Sequence, residues 1–188
     1  IVLKDGYILD YISGKPVNIT KPEEKVRQEY EKSLHTEYHY PKDYCDIEVS
    51  IQMGVAVKKA DIVIYKTNNS LERNQNKDIY CIIETKKPHR KDGISQLCSY
   101  MSATSAEFGV WTNGDEIEYL FKDKSTGTIK EKYIYQIPKF GQKLEDLDRI
   151  TKDKLEPAKN LKAIFRRIHR TLYSNTNISR KEKLGSEL

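Results

Sequence analysis

The run Ile79-Tyr80-Cys81-Ile82-Ile83 is the most apolar stretch of the chain, and it closes on Glu84-Thr85-Lys86. The run before it, Ile62-Val63-Ile64-Tyr65, opens on an isolated Asp61. Short runs rich in β-branched residues read as strands, here over residues 61–66 and 79–86. The polar, Asn-rich residues 67–78 between them read as a long hairpin loop. On a strand, Glu84 and Lys86 leave one face while Ile83 and Thr85 leave the other. With the two strands as neighbours, two carboxylates and one amine gather at one edge of a sheet.

Metal-dependent phosphodiester cleavage needs such a set. Mg²⁺ takes oxygen ligands and keeps several waters, so Asp61, Glu84 and one backbone carbonyl, that of Thr85, suffice as the protein's share. The metal acidifies a bound water and offsets charge on the phosphorane. A partly desolvated Lys86 orients or deprotonates that water. Taken alone, an Asp and a Glu-x-Lys at strand ends also serve as solvated caps. The segment 92–103 adds more. Ile94, Leu97, Cys98 and Met101 follow the i, i+3, i+4, i+7 stripe of a helix with Asp92 as its N-cap. Gln96 and Tyr100 stack one turn apart on a flank away from that stripe, placed to offer an amide and a phenol to a phosphate.

Asp61, Glu84-x-Lys86 and Gln96-x-x-x-Tyr100, in this order, resemble the PD-(D/E)xK nuclease superfamily. Within it, the resemblance is to the Gln-x-x-x-Tyr subgroup found at the N-terminus of type I restriction enzyme motor subunits and in related restriction enzymes. Pro22-Glu23-Glu24-Lys25-Val26-Arg27-Gln28, Lys59-Ala60-Asp61-Ile62-Val63-Ile64, Ile83-Glu84-Thr85-Lys86-Lys87-Pro88 and Trp111-Thr112-Asn113-Gly114 are similar to that family's blocks, over about residues 20–122. Ala60 stands where the superfamily name has Pro, a turn preference rather than a chemical group.

The resemblance implies an α/β restriction-endonuclease-like core, a central mixed sheet flanked by helices, with C-terminal helices beyond it. It implies Mg²⁺-dependent endonucleolytic cleavage of double-stranded DNA, with Mn²⁺ as a substitute and target choice made elsewhere. Asp61 and Glu84 would hold the metal, Lys86 the water, and Gln96 and Tyr100 would support Lys86 and the phosphate. Glu24 or Glu29 of the first helix would add an acidic group. Expected partners are downstream motor or methyltransferase domains and restriction-modification subunits, with ATP used only by a motor elsewhere in a longer polypeptide. The chain itself has no Gly-x-x-x-x-Gly-Lys-Ser/Thr loop. Two other readings stay open: a degenerate nuclease fold that only binds DNA or a subunit, and an independent repair or phage-type nuclease.

At 188 residues the chain has room for one α/β domain with appendages, here residues 1–142 followed by a helical extension over 143–173 and a linker over 174–188. No apolar stretch approaches the roughly 18 residues of a membrane span, which points with the charged composition to a cytoplasmic protein. Cys45, Cys81 and Cys98 are odd in number and lack Cys-x-x-Cys spacing, against a disulfide framework or zinc site. His35 and His39 have a metal spacing only if helical, and Tyr38, Tyr40 and Pro41 mark a helix end there.

Thr20-Lys21-Pro22-Glu23 reads as a capping box opening a helix through Leu34, with Val26, Tyr30 and Leu34 as its stripe. Ile47, Val49 and Ile51 share a strand face, and Gly54 bends the chain after them. Asn113-Gly114 marks a hairpin between strands at 108–112 and 116–122, and a further arm covers about 129–137. Residues 144–155 read as a charged helix and Pro157 opens another. From Pro157 onward, eight Lys/Arg face two Asp/Glu, so the basic excess is local. Lys162, Arg166 and Arg170 there, and Lys87, His89 and Arg90 after the Glu-x-Lys strand, are candidate phosphate contacts.

Overall fold

The computed structural model describes residues 3–147 apart from 72, 75, 132 and 133. The expected helix from Pro157, with Lys162, Arg166 and Arg170, the linker over 174–188 and all but the start of the 144–155 helix lie outside the described residues. Residues Ile1–Arg149 form one compact unit.

A small antiparallel pair, β1 (Tyr7–Leu9) and β2 (Pro16–Asn18), precedes helix α1 (Pro22–Thr36). The six strands that follow are β3 (Cys45–Met53), β4 (Ala56–Tyr65), β5 (Ile79–Thr85), β6 (Phe108–Thr112), β7 (Ile117–Lys122) and β8 (Ile129–Glu131), and they lie side by side in chain order. Every neighbouring pair is antiparallel except β5 and β6, which are parallel. A parallel pair needs a crossover, and α2 (Ile94–Ala103) supplies it. The result is a mixed sheet flanked by helices, a restriction-endonuclease-like core.

Alternation along the central strands divides the core in two. Ile62, Ile64, Cys81 and Ile83 pack with Tyr30 and Leu34 of α1. Val63 and Ile82 pack with Leu97, Tyr100 and Met101 of α2. Burial on both faces is why 79–83 reads as an unbroken apolar run. Gly109 on β6 lets α2 lie close, since a Cβ there would sit 2.5 Å from the Met101 sulfur and 3.3 Å from Leu97.

Several expectations need correction. Thr20 does not cap α1: its hydroxyl donates to Asn18 Oδ1 at 2.6 Å, and Lys21 occupies the N-cap position with no side-chain bond. Pro22 does stand in the first turn, and Val26, Tyr30 and Leu34 are buried as a stripe. Of the arm expected over about 129–137, the described residues form strand β8 over Ile129–Glu131 and no strand over 134–137. Between 144 and 147 the described chain is a 3-10 turn, Leu144–Asp146.

The β3–β4 hairpin departs most from a regular pattern. Val49, Ile51 and Ala60 pack on the α2 side, whereas Cys45, Ile62 and Ile64 pack on the α1 side, although period two would put each set on one face. The reversal falls between Ile47↔Ile62 and Val49↔Ala60, where Glu48 takes a left-handed φ of 49° opposite Asp61. Ile47, Val49 and Ile51 therefore do not form one face.

Candidate active site

Strand pairing carries the first two groups. Ile62 lies opposite Ile83, so the same register extended by one residue sets Asp61 opposite Glu84. Asp61 Oδ2 accepts hydrogen bonds from the Thr85 backbone N–H at 2.6 Å and the Thr85 hydroxyl at 2.9 Å. Thr85 thus clamps the Asp61 carboxylate across the two strands.

Glu84 is 1% exposed. Its Oε1 accepts from Lys86 Nζ at 2.5 Å, while Oε2 is buried with no hydrogen-bond partner. Burial, and then the negative charge of Asp61, push the Glu84 carboxyl up to about 7. Burial pulls the Lys86 ammonium down, but the hydrogen bond and charge of Glu84 outweigh it and the net shift is upward. Lys86 is therefore held charged, which suits orienting a water or a phosphate oxygen better than taking a proton.

The loop from β5 into α2 shapes the floor beneath Lys86. Gly93, not Asp92, occupies the N-cap position, with φ 112°. A Cβ on Gly93 would lie 2.8 Å from Lys86 Cε and 3.1 Å from Trp111 Nε1, so only glycine lets the lysine stem pass. Trp111, 1% exposed, donates from Nε1 to the Asp92 carbonyl at 2.8 Å, and Asn113 Nδ2 donates to the Arg90 carbonyl at 2.7 Å. Two β6-end side chains thereby pin the loop.

Gln96 and Tyr100 are placed differently from the flank expected of them. Tyr100 is fully buried among Leu97 and Met101, and its hydroxyl donates to the Lys59 carbonyl at 2.8 Å. Gln96 Nε2 donates to that same hydroxyl at 2.5 Å. The pair grips the β4 backbone two residues before Asp61. Tyr100 still feels the charges of Glu84, Asp61 and Lys86, after burial, which first raises its phenol.

The first helix does bring a carboxylate near, but from Glu23, whose Oε1 lies 3.6 Å from Lys86 Nζ. Glu24 instead takes Arg27 in a bidentate bond at 2.7 and 2.9 Å, and Glu29 is exposed. A signal for Glu23 was present in the sequence. It sits beside Pro22 in the first turn, and that turn is the end of the helix facing the strand termini.

Lys87, His89 and Arg90 are exposed in the loop after β5. Arg90 Nε is 2.6 Å from Asp92 and His89 Nδ1 is 3.3 Å from Asp115. His35 lies at the end of α1 with Nδ1 3.2 Å from the Tyr40 carbonyl, and His39 has left φ of 62° beyond the helix. The two therefore do not stand one turn apart on a helix. Cys45, Cys81 and Cys98 are free thiols. A cleft of about 630 Å³ lined by Lys42, Asp46, Tyr65 and Arg73 contains neither Asp61, Glu84 nor Lys86.

Compared with protein-family models, residues 22–138 match the type I restriction enzyme R protein N terminus, well over half of the chain. The chain belongs to this family. No curated protein and no solved structure matches it. The match spans Glu23, Asp61, Glu84, Lys86, Gln96, Tyr100 and Trp111, whereas β1 and β2 lie ahead of it. An R protein N-terminal domain is part of a restriction enzyme, so the nuclease role read from the residues and the family assignment agree.

A divalent cation fits the donors present. Among the described residues no group of three or more His, Cys, Asp or Glu side chains could hold a metal ion. Two carboxylates completed by a carbonyl and waters remain, the pattern Mg²⁺ accepts. The unpartnered Glu84 Oε2, buried beside a second carboxylate, is the atom that a cation would satisfy. Among the described residues, no helix is long and apolar enough to cross a membrane.

Proposed function

We propose that this domain cleaves double-stranded DNA endonucleolytically with Mg²⁺, or Mn²⁺ in its place, as the nuclease part of a restriction-modification enzyme. The buried Glu84, with one oxygen on Lys86 and the other unpartnered next to Asp61, carries the reading. A desolvated carboxylate with one oxygen left unpartnered is poor structure but a good cation ligand.

In this reading Asp61, Glu84 and the Thr85 carbonyl would hold the metal. When bound, it supplies an acidified water and offsets charge on the phosphate. Thr85 holds Asp61 in place through its N–H and hydroxyl. Lys86, charged and braced against Glu84, orients the attacking water and faces the developing charge. Glu23 adds negative potential at the ammonium. Gln96 and Tyr100 act one step back, by fixing the β4 backbone that presents Asp61. DNA, downstream motor or methyltransferase domains, which would be the site of ATP use, and the other restriction-modification subunits are the partners this role requires.

The test uses the full polypeptide with its partner subunits, ATP, Mg²⁺ and supercoiled DNA, following nicked and linear products. Lys86→Ala should abolish conversion while DNA affinity stays nearly intact, because one ammonium adds little to backbone binding and much to the transition state. Cleavage by Lys86→Ala at the wild-type rate would make this a binding module instead.

A further inference from the structure

The outer half of the β3–β4 hairpin is left without a role by the site it adjoins. Beyond the reversal at Glu48 and Asp61, the two strands run out to a two-residue turn, Gly54-Val55, with Met53 paired to Ala56. Gly54 at φ 60° supplies the left-handed first position that such a turn needs. From Asp61 to Val55 is six residues, about 20 Å of strand.

The ribbon is braced. Ile51 is fully buried against the α2 side, Tyr100 holds the Lys59 carbonyl at 2.8 Å, and Asn76 Nδ2 donates to the Gln52 carbonyl at 3.2 Å. Its other face pairs Ser50 with Lys59 and Gln52 with Val57, and the tip shows Val55 at 104% and Val57 at 56% exposure. Residues 50–59 hold Lys58 and Lys59 and no acidic residue, in a chain where acidic residues are otherwise nearly as common as basic ones; Lys59 Nζ meets Glu48, just before this stretch, at 3.2 Å in an exposed pair that a phosphate would compete with.

We infer that this ribbon is an arm that enters the major groove of the duplex beside the cleavage site. The inference rests on the nuclease reading above, which makes duplex DNA the molecule lying against Asp61. The major groove is about 12 Å wide and about 8.5 Å deep and admits a two-stranded ribbon, so the roughly 10 Å of ribbon that projects beyond the brace at Gln52 spans its depth while Asp61 stays at the backbone. Lys58 and Lys59, three and two residues from Asp61, neutralise phosphates at the groove edge. Ser50 and Gln52 offer side chains to base edges, and Val55 and Val57 make the apolar contact open to a thymine methyl. The lack of acidic groups on residues 50–59 favours a polyanion over an apolar protein surface. The arm holds the duplex in place and leaves target choice to other subunits.

The test uses the 188-residue chain carrying Glu84→Gln, in EDTA, so that a duplex of about thirty base pairs stays intact. Affinity is read by fluorescence anisotropy between 50 and 200 mM salt. Each lost phosphate contact reduces the log–log salt slope by about 0.9, so Lys58→Ser with Lys59→Ser should flatten it by about 1.8. Across that fourfold salt range the parent protein should then lose about twelvefold more affinity than the double variant. Both lysines are exposed, and an unchanged melting profile shows that the variant folds. A photoreactive amino acid in place of Val55 should crosslink to bases. An unchanged salt slope overturns the arm, as does a Val55 probe that gives no crosslink to the duplex. Either result leaves Lys86-dependent cleavage untouched. Loss of Lys86 dependence would instead overturn the nuclease reading, with the salt slope still judging the arm.

Discussion

Replacing Glu31 by Gln should make the domain's stability nearly independent of this site's share of the pH response. Glu31 is 1% exposed on α1, with Arg27 Nε 3.6 Å from Oε1 and the Ile12 N–H donating to Oε2 at 3.3 Å. Burial, and then the charge of Asp10, push its carboxyl from 4.5 up to about 8. An acid whose folded value is raised keeps a proton that the unfolded chain has released. Stability is then greatest below the unfolded value and falls as pH rises through the folded one. Between pH 5.5 and 8.5 this group alone removes about 2.4 pH units' worth of stability, or about 3 kcal/mol at about 1.36 kcal/mol per unit. Glu31→Gln keeps the acceptor for Ile12 and cannot ionise, so urea unfolding at the two pH values should show the variant gaining on wild type by that order at the alkaline end. Two curves that stay parallel from pH 5.5 to 8.5 would refute the burial argument for this network.

Calorimetric titration with Mn²⁺ should show binding that Glu84→Gln weakens at least tenfold, since the amide replaces one of two charged ligands; equal affinity would remove Glu84 from the metal site. Tyr100→Phe should cost about 1 kcal/mol of stability through the lost bond to the Lys59 carbonyl, and should leave cleavage between wild type and Lys86→Ala. Wild-type cleavage in that variant would mean that the β4 grip does not matter to Asp61. Gly93→Ala should lower cleavage severely while the domain stays folded, because the new Cβ meets the Lys86 stem at 2.8 Å. Unchanged turnover would show that the lysine has another route.

Much of the site could be read from the chain because its pattern is local. Glu84 on β5 and Lys86 in extended sequence one residue past its end, with helix α2 ten residues on from Glu84, are set by period and order alone. What escaped depends on distant partners. Tyr100 was expected on a flank away from the buried stripe, but it is fully buried with its hydroxyl on the Lys59 carbonyl of β4. The reversal at Glu48 has no sequence mark, because a left-handed glutamate there is sustained by both strands rather than by its own preference. Thr20 lost its capping role to a competitor two residues away, Asn18. The choice of Glu23 over Glu24 turned on Arg27, whose buried guanidinium takes Glu24 for itself.

The two carboxylates reach the site by different routes. Glu84, Lys86, Gly93 and Trp111 all belong to the contiguous β5–α2–β6 stretch, whereas Asp61 arrives only when β4 pairs with β5 across the 67–78 loop. A chain emerging from the ribosome, or one transiently opened along that seam, therefore holds its two carboxylates apart and has no assembled site. Under the nuclease role proposed above, competence to cut would belong to the closed sheet alone, and an unfinished copy of the domain would be harmless to the DNA around it.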